Sequence, residues 1–428
     1  MLPIYQIPSK VEQMFSLYAE CFESEEQYVH FLRYETGLLI PRPMKATIEG
    51  INKLFCGSLK RSQSSFNRFM TRSPWETKKV DARRIELLKQ HPILRPGKKG
   101  VIAIDDVLLE KTGKHIDGVD WLFDPSQKKD ILCHCLVTCT YNKLGQSYPL
   151  AFEPYFTQAV CEREEGKALG MTFRTKDQIA MALAQWVLSL DISGVFAFDS
   201  AYLSKALVGV IEQADRLWIS RAAKDTQVRW RGEDLELRQM TKRLPKNAYH
   251  KVTLDGRVFW GALKVMSVSP LEGKKAVLVC WKEEIGHGEP FYILTNATWW
   301  DSTRILKTYF QRWGSEEVHR ESKQHEGLVE YQMRTLEGIR KHWCLVACAY
   351  AGLTLRRAYS LRGVPHVLTL HSMAREILVE VAVHYVRRVW EKAKQGVEAF
   401  LSIRRELEAF FARFQLTVDK PLAAFRTR

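Results

Sequence analysis

Residues 101–106 read VIAIDD, and residues 195–199 read VFAFD. In both stretches, four apolar residues suited to a buried β-strand are followed directly by aspartate. In open α/β sheets the carboxyl ends of the strands open into a crevice, and functional sites form there. We therefore expect a pair of carboxylates at one edge of a sheet, contributed by Asp199 and by Asp105 or Asp106.

The segments around these strands alternate between strand and helix patterns, which is typical of α/β folds with a parallel sheet. Residues 222–294 break this order with short strands and no long helix, so we expect a β-rich insertion there. A turn is predicted at 142–145. The predicted strands lie at 101–104, 131–140, 147–152, 195–198, 217–219, 259–263, 276–281 and 291–294, and the predicted helices at 176–190, 202–213, 302–325, 335–361, 366–394 and 396–414.

The helix predicted after the insertion carries a polar face that contains a third acid. At about 100° per residue, Tyr309, Arg312, Glu316 and Lys323 fall within an arc of about 60°. A face with an aromatic residue, two cations and an acid, but no aliphatic residue, is not a core stripe and favours contact with phosphate and metal. The alternative is a solvated face on which Arg312 and Glu316 form an ordinary ion pair one turn apart.

The spacing of these four residues resembles a known signature. They are spaced as in the Y-R-E-K signature of the DDE transposases encoded by bacterial insertion sequences. The resemblance is distributed over the chain. It also includes Ile104-Asp105-Asp106, Lys111-Thr112-Gly113-Lys114, Asp199-Ser200-Ala201-Tyr202, Thr295-Asn296 and Arg312-Trp313, and in the N-terminal region Thr36-Gly37-Leu38-Leu39 and Ser73-Pro74-Trp75.

The resemblance implies an α/β ribonuclease-H-like catalytic core that is interrupted by a β-rich insertion domain and flanked by helical N- and C-terminal regions. The expected domains are a helical DNA-binding domain at 1–98, the first part of the core at 99–221, the β-strand insertion domain at 222–295, the part of the core with the catalytic helix at 296–345, and a helical C-terminal region at 346–428 that is a candidate for dimerisation.

The resemblance also implies that three acids hold two Mg²⁺ ions, for which Mn²⁺ can substitute. By similarity to the family, in which the first acid directly precedes a Thr-like position, the catalytic and metal-binding residues are Asp106, Asp199 and Glu316. Val107 stands at that Thr position here, so Asp105 remains an alternative for the first acid. Ser315 replaces the apolar residue that usually precedes the Glu. Neither change removes a ligand.

DNA contacts are implied for the cations and the aromatic residue of the signature. Arg312 can hold a phosphate through two hydrogen bonds, whereas Lys323 acts as a point charge on a phosphate at the DNA end. Members of this signature group are associated with a hairpin intermediate, and base extrusion needs an aromatic pocket, for which Trp260, Trp299 and Trp300 are candidates. The expected DNA-binding residues are Tyr309, Arg312, Lys323, Lys111 and Arg320.

The distribution of charge favours a polyanionic partner. The 428 residues include 64 Lys and Arg against 49 Asp and Glu, which gives a formal charge of +15. Residues 41–100 hold 15 basic and 4 acidic residues, whereas residues 1–40 hold 2 and 6. Helices are predicted at 45–55, 62–71 and 81–90. Several short basic helices in succession suit DNA binding of the helix-turn-helix type, and the alternative is a solvated helical cap.

The other polyanionic surface, an anionic membrane, is not favoured. The longest uncharged apolar stretch, 343–355, has 13 residues, and a membrane span needs about 20. Residues 1–11 lack the basic and apolar regions of a secretory signal, so we expect a cytoplasmic bacterial protein that is nucleoid-associated when bound to DNA. Because transposition pairs two DNA ends, a homodimer is expected in the DNA complex, with the helices after about Leu345 as the interface.

The leading hypothesis is therefore a Mg²⁺-dependent transposase whose partners are double-stranded DNA, namely the terminal inverted repeats of its own element and the target DNA. One alternative is a catalytically silent relic that binds DNA as a regulator. The presence of Asp106, Asp199, Glu316 and Lys323 argues against it, because a relic is expected to lose one of them. The other alternative is a ribonuclease-H-like nuclease without strand transfer, which only an assay separates.

Overall fold

The computed structural model describes residues 2–41, 44–143, 145–360 and 369–425. Parts of four predictions lie outside the described residues: 42–43 in the basic region, 144 in the predicted turn, 361–368 where the helices 335–361 and 366–394 were to meet, and 426–428 in the C-terminal region. The chain divides into two compact units. A helical unit consists of Met1–His91 and Glu321–Arg428, and a sheet unit consists of Pro92–Arg320.

Within the described residues of the sheet unit, twelve strands form one mixed sheet. They are β1 (Val101–Glu110), β2 (Asp120–Asp124), β3 (Lys129–Lys143), β4 (Gln146–Tyr155), β5 (Val195–Phe198), β6 (Trp218–Ala222), β7 (Gln227–Trp230), β8 (Glu233–Glu236), β9 (His250–Leu254), β10 (Arg257–Val268), β11 (Lys274–Lys282) and β12 (Phe291–Thr295). Their order is β2-β3-β1-β5-β6-β12-β11-β10-β7-β8, with β4 paired to β3 and β9 paired to β10.

The helices of the described chain belong to both units. They are α1 (Ser9–Phe15), α2 (Glu25–Leu39), α3 (Ile48–Lys53), α4 (Gln63–Thr71), α5 (Thr77–Gln90), α6 (Gln158–Glu162), α7 (Glu164–Ala168), α8 (Lys176–Ser189), α9 (Lys205–Gln213), α10 (Leu237–Arg243), α11 (Ser302–Phe310), α12 (Gly314–Gln324), α13 (Leu336–Ser360), α14 (Leu370–Lys394) and α15 (Val397–Phe425).

The two sequence stretches that end in aspartate form neighbouring strands at the centre of the sheet. β1 pairs in parallel with β5, β5 pairs in parallel with β6, and β1 pairs antiparallel with β3. Side chains alternate between the two faces of a strand, so Val101, Ala103, Val195 and Ala197 share one face. They lie in one buried cluster that includes residues of α11. α11 therefore covers the sheet face to which alternate residues of β1 and β5 point.

The sequence pattern predicted that β1 ends at its aspartates, but the strand continues beyond them. It continues to Glu110, because antiparallel pairing with β3 persists from Val101 opposite Asn142 to Glu110 opposite Cys133. Its parallel pairing with β5, by contrast, stops at Ile104 opposite Phe198. The parallel ladder of β1 and β5 therefore ends beside the acids, although β1 itself continues.

The segment predicted as a β-rich insertion supplies β7 to β12. These strands continue the same sheet, since β12 pairs antiparallel with β6 and with β11. The predicted strands at 259–263, 276–281 and 291–294 are confirmed within β10, β11 and β12. The segment also contains one short helix that was not predicted, α10, where Gln239 completes a capping box with Glu236.

The basic region predicted as three short helices is helical in the structure. α3, α4 and α5 correspond to the predicted helices at 45–55, 62–71 and 81–90, although α5 begins four residues earlier, at Thr77. Ser62 caps α4 by accepting a hydrogen bond from the backbone N–H of Ser65. A local capping signal thus explains where α4 begins.

α13 forms the centre of the helical unit. Residues 343–354 of its apolar stretch are all buried, which is usual for a helix that is apolar around its whole circumference. His342 forms a hydrogen bond of 2.8 Å with Tyr34 of α2, and Lys341 donates to the backbone oxygen of Ser73 at 2.5 Å. The N-terminal helices therefore share their core with a helix from the C-terminal half of the chain.

No helix in the described part of the chain is both long enough and apolar enough to cross a membrane.

Candidate active site

Asp105 and Asp199 lie next to each other on the same face of the sheet. Ile104 pairs with Phe198 in the parallel ladder, so each acid follows a paired residue by one position. Because faces alternate along a strand, Asp105 shares a face with Val101 and Ala103, and Asp199 with Val195 and Ala197. This is the face that α11 covers. The strand register therefore brings Asp105 and Asp199 to the same place on the sheet.

The carboxylate of Asp105 is held by residues from the segment after α11. Its Oδ2 accepts hydrogen bonds from Arg312 Nη1 at 2.7 Å and from Ser315 Oγ at 3.2 Å. Burial raises the pKa of Asp105 above its usual value, although the positive charge of Arg312 opposes this shift. Burial would lower the pKa of Arg312, but Asp105, then Tyr309 and Asp199, raise it overall. The interaction with Asp199 is consistent with a position of Arg312 beside both acids.

Asp106 points to the opposite face of β1. Its Oδ2 accepts a hydrogen bond from Lys176 Nζ at 2.7 Å, and its Oδ1 accepts one from the Tyr202 hydroxyl at 3.0 Å. The choice of Asp106 as the first acid therefore disagrees with the geometry, because adjacent residues of a strand cannot face the same side. The alternative, Asp105, is the residue that lies on the same face as Asp199.

The segment that carries the third acid is not the single helix predicted at 302–325. α11 ends at Phe310, residues Gln311–Trp313 form a 3₁₀ turn, and α12 starts at Gly314. A Cβ atom at Gly314 would lie well inside van der Waals contact of Asn142 Oδ1 and Ser147 Oγ. The close approach of this turn to the β3–β4 hairpin explains the break, which spacing alone does not reveal.

Glu316 lies in the first turn of α12, and its side chain is 59% exposed. Its Oε1 accepts a hydrogen bond from Arg312 Nη2 at 3.3 Å. The same guanidinium thus pairs with Asp105 and with Glu316. His319 fixes this helix to the sheet, since its Nε2 lies 2.8 Å from Thr138 Oγ1, which in turn donates to the backbone oxygen of Asp105.

The other residues with a predicted DNA contact differ in exposure. Tyr309 is only 3% exposed and belongs to the core cluster, so its ring offers no face to a base in this structure. Lys111 is also buried, and its backbone N–H donates to Leu132. Arg320 is exposed, and Lys323 is partly exposed on α12, two turns after Glu316. Direct DNA contact by Tyr309 is therefore not supported by its position.

The aromatic residues considered for a base pocket do not form one group. Trp300 is buried beneath the guanidinium of Arg304, and Trp260 Nε1 donates to the backbone oxygen of Glu283. Trp299 is 68% exposed. A second exposed indole, Trp313, stacks on Phe310 with ring centroids 4.8 Å apart. Sequence reasoning noted Trp313 only as part of the signature, although its position next to Arg312 indicated closeness to the site.

Basic side chains of the helical unit fall into paired and exposed groups. Lys53, Lys79 and Arg84 pair with acids of their own helices or of the preceding cap. The four exposed cations between residues 60 and 72 have no acid in this stretch of sequence. They are Lys60, Arg61, Arg68 and Arg72.

Two of these cations lie near a buried histidine. His30, 4% exposed, forms a hydrogen bond of 3.2 Å with Ser65 in the first turn of α4. Burial, and then Arg33, Arg61 and Arg68, lower the pKa of His30 from 6.5 to about 4. Arg61, just before α4, and Arg68, in its last turn, therefore both lie near enough to His30 to lower its pKa.

The chemistry of the three acids suits a divalent cation. Among the described residues, no group of three or more His, Cys, Asp or Glu side chains is arranged to hold a metal ion. In this conformation the guanidinium of Arg312 lies between Asp105 and Glu316. Carboxylate oxygens are the ligands that Mg²⁺ and Mn²⁺ prefer. In their chemistry Asp105, Asp199 and Glu316 therefore fit such an ion, although their present arrangement places Arg312 between two of them.

Three residues near the acids were not identified from the sequence as site residues. Ser315 donates to Asp105, whereas Lys176 and Tyr202 hold Asp106. Tyr202 follows Asp199 by three residues and was noted only as part of the motif. No sequence pattern indicates that Lys176 belongs to the site, because its closeness to Asp106 depends on how α8 packs against the sheet.

Comparison with known proteins identifies the family of the chain. Residues 17–268 match the family model described as DDE superfamily endonuclease. This match covers more than half of the chain, includes Asp105, Asp106 and Asp199, and ends before Glu316. No curated protein matches the chain. Among solved structures, the piggyBac transposase synaptic complex with hairpin DNA is similar, with 11% sequence identity and a TM-score of 0.48 over 90% of this chain and 78% of that chain.

The match to the family model confirms the sequence-based prediction of an enzyme of the DDE class. The chain belongs to the DDE superfamily endonuclease family.

Proposed function

We propose that this protein is a DNA transposase that binds the ends of its insertion sequence and performs Mg²⁺-dependent strand cleavage and strand transfer. The observation that carries the proposal is the common face of Asp105 and Asp199, together with the guanidinium of Arg312, which pairs with Asp105 and with Glu316. We assign Asp105 as the first acid, Asp199 as the second and Glu316 as the third.

The strand arrangement supports a ribonuclease-H-like core. β3 and β1 are antiparallel, β1, β5 and β6 are parallel, and the acids stand where the parallel ladder ends. β7 to β11 then interrupt the path from β6 to the helix that carries Glu316, as expected for an insertion. In open α/β sheets, sites form at such strand ends.

The catalytic roles follow from charge. Asp105, Asp199 and Glu316 would hold two Mg²⁺ ions, which would supply Lewis-acid chemistry for the activation of water or a 3′-hydroxyl and for the stabilisation of the leaving oxygen. The planar guanidinium of Arg312, which binds two carboxylates here, would grip a phosphate of the DNA through two hydrogen bonds. Lys323 places a point charge on a phosphate at the DNA end.

End recognition is assigned to the helical unit. The exposed cations Lys60, Arg61, Arg68 and Arg72 lie on α4 or next to it, in a stretch without acids. Cations on one surface release counterions when they meet the phosphates of double-stranded DNA. Arg61 and Arg68 are the best supported pair, because both act on the same buried histidine.

A hairpin intermediate would need an aromatic surface for the extruded base. Trp299 and Trp313 are the two exposed indoles of the segment between β12 and α12. Trp313 directly follows Arg312, and one face of its indole ring stacks on Phe310. We assign base stacking to these two residues in place of Trp260 and Trp300.

A homodimer in the DNA complex is supported by an apolar stripe on α14. Val379, Val383, Val386 and Trp390 are between 48% and 65% exposed. Their spacing of four, three and four residues places them along one side of the helix, as at the interface positions of a coiled coil. A second copy of this chain presents the same stripe, so the surface can pair with itself.

Purified protein, Mg²⁺ and labelled DNA ends from the sequence flanking the coding region test the proposal. We expect cleavage and strand-transfer products with the wild-type protein. Asp105→Asn, Asp199→Asn and Glu316→Gln should reduce both products to the level seen without protein, while binding of the DNA ends persists. Glu317→Gln, next to Glu316, and Asp191→Asn, in an exposed turn, are matched controls that should keep both activities.

Results other than those expected would contradict part of the proposal. DNA binding without cleavage by the wild-type protein would indicate the silent regulator, and cleavage without transfer would indicate the simple nuclease. Suppose that Asp105→Asn cleaves DNA as well as the wild-type protein, and that Asp106→Asn does not cleave at any metal concentration. This result would return the role of first acid to Asp106.

A further inference from the structure

A second polar cluster lies on the face of β1 opposite to Asp105. Its centre is the carboxylate of Asp106, which is 25% exposed. One oxygen accepts a hydrogen bond from Lys176 at 2.7 Å, and the other accepts one from Tyr202 at 3.0 Å. Tyr202 is 2% exposed. Both oxygens of Asp106 are therefore engaged by protein groups, and one of these groups is a tyrosine in the core.

Tyr202 belongs to the turn that begins with Asp199. Residues Ser200–Tyr202 form a 3₁₀ turn, and the backbone N–H of Tyr202 donates to the backbone oxygen of Asp199 at 3.0 Å. The side chain of Asp199 caps this turn, since its Oδ1 accepts from the backbone N–H of Ser200 at 2.7 Å. Tyr202 thus connects the backbone of Asp199 at one end with the side chain of Asp106 at the other.

The first turn of α8 holds the same region from the side. Lys176 is its first residue and contacts Asp106, while the next residue, Asp177, accepts a hydrogen bond from Ser204 at 2.7 Å. Ser204 is the N-cap of α9, two residues after Tyr202. Two consecutive residues of α8 therefore bind β1 and the loop that leaves Asp199.

These contacts lie beyond the last pair of the β1–β5 ladder, where no backbone pairing holds the two strands together. The parallel ladder of β1 and β5 ends at Ile104 and Phe198, one residue before Asp105 and Asp199. Beyond that point, the separation of the two strands depends on other groups. Asp106 is attached to β1 directly after Asp105, and Tyr202 is attached to the turn of Asp199.

We propose that Asp106, together with Tyr202 and Lys176, is a positioning residue that sets the distance between Asp105 and Asp199. The inference rests on the proposed function, because it concerns the same pair of acids. It assigns to Asp106 a role without contact to metal or DNA. Groups of this kind, which orient ligands from behind, typically change metal affinity by about 10- to 100-fold when they are removed.

Mn²⁺ binding by the protein without DNA tests the inference, measured from the signal of free Mn²⁺ in electron paramagnetic resonance. Tyr202→Phe removes only the hydroxyl group. We expect the dissociation constant for Mn²⁺ to rise about tenfold with an unchanged number of bound ions. The Mn²⁺ concentration for half-maximal cleavage should rise by the same factor, and cleavage at saturating Mn²⁺ should stay near the wild-type rate.

Tyr148→Phe is the matched control. Tyr148 is also buried in the sheet unit, and its hydroxyl donates to the backbone oxygen of Leu94 at 2.8 Å. Both variants lose one buried hydrogen bond, but only Tyr202→Phe should weaken Mn²⁺ binding. Equal losses of thermal stability with unchanged Mn²⁺ affinity in both would show a merely structural role and overturn the inference.

Asp106→Asn tests whether Asp106 is a metal ligand or a positioning residue. A positioning residue should leave the number of bound ions unchanged, with weaker affinity that excess Mn²⁺ overcomes. Loss of one bound ion would identify Asp106 as a ligand and overturn the inference. A wild-type protein that neither binds Mn²⁺ nor cleaves DNA would instead contradict the proposed function, which is a separate outcome.

Discussion

At the scale of single residues, Arg312 dominates the electrostatics of the candidate site. Its guanidinium pairs with Asp105 at 2.7 Å and with Glu316 at 3.3 Å, and it is nearly buried. A cation in this position keeps two carboxylates together when no metal or DNA is bound. The same cation repels a divalent ion that approaches these carboxylates. Under the proposed function, Arg312 therefore has opposite effects on metal binding and on DNA binding.

Arg312→Gln should separate these two effects. We expect the DNA-free protein to bind Mn²⁺ about tenfold more tightly, which corresponds to about 1.4 kcal/mol, because the competing positive charge is lost. Binding and cleavage of DNA ends should fall, because the phosphate loses its bidentate partner. Calorimetry of Mn²⁺ binding and a gel-shift assay measure the two quantities. Arg304→Gln, which removes an exposed guanidinium from α11, is the control and should leave the Mn²⁺ affinity unchanged.

His30 makes the helical unit sensitive to acid. The unfolded chain binds a proton at this residue near pH 6.5, whereas burial and the nearby arginines lower the pKa in the folded chain to about 4. The stability that neutral His30 contributes is therefore complete above about pH 6.5 and is lost as the pH falls from there toward about 4. Urea unfolding at a series of pH values measures this loss.

Arg61→Gln combined with Arg68→Gln should raise the pKa of His30, because two of the three arginines that lower it are removed. The pH range of destabilisation should then become narrower. Titration of the His30 ring by nuclear magnetic resonance gives the pKa directly. An unchanged pKa in the double variant would mean that these arginines do not share a surface with His30.

At the scale of elements, the junction between α11 and α12 sets the position of Glu316. Gly314 starts α12 where the chain approaches Asn142 and Ser147 too closely for a side chain. The spacing of the signature residues predicted one continuous helix, since helical periodicity does not register contact with another element. The 3₁₀ turn allows Arg312 to reach Asp105 while Glu316 remains at the surface.

Gly314→Ala should destabilise the fold by about 1–3 kcal/mol, because the added methyl group overpacks the contact with the hairpin. Gly209→Ala is the matched control: Gly209 also lies in a helix, α9, with nothing within 4 Å of an added Cβ. We expect that control to stabilise the protein by about 0.5–1 kcal/mol. Chemical unfolding measures both effects, and equal changes in the two variants would contradict the proposed close contact.

At the scale of the whole molecule, the N-terminal helices do not have a core of their own. α2 and α5 pack against α13, which lies more than 240 residues later in the chain. Tyr34 bonds to His342, and the buried face of Trp75 lies below Lys341. The predicted DNA-binding domain 1–98 therefore depends on the C-terminal half of the chain.

A fragment of residues 1–98 should not fold on its own. Without α13, the apolar faces of its helices are exposed to water, and the buried Arg84 and Glu35 lose the surroundings that enclose them. We expect a circular dichroism spectrum of low helicity, without a cooperative thermal transition. Cooperative unfolding of this fragment at the temperature of the full chain would contradict the shared core.

The sequence by itself determined the strands that precede the aspartates, the basic helices, the family and the helical character of the segment around Glu316, because capping residues, apolar runs and motif spacing are local properties. Only the tertiary structure shows that Asp105, and not Asp106, shares a face of the sheet with Asp199. The two residues are adjacent and chemically identical, and a strand directs them to opposite faces. The pairing of β1 with β5 and the packing of α11 determine which of those faces contains Asp199, and neither contact is encoded in the residues next to the pair.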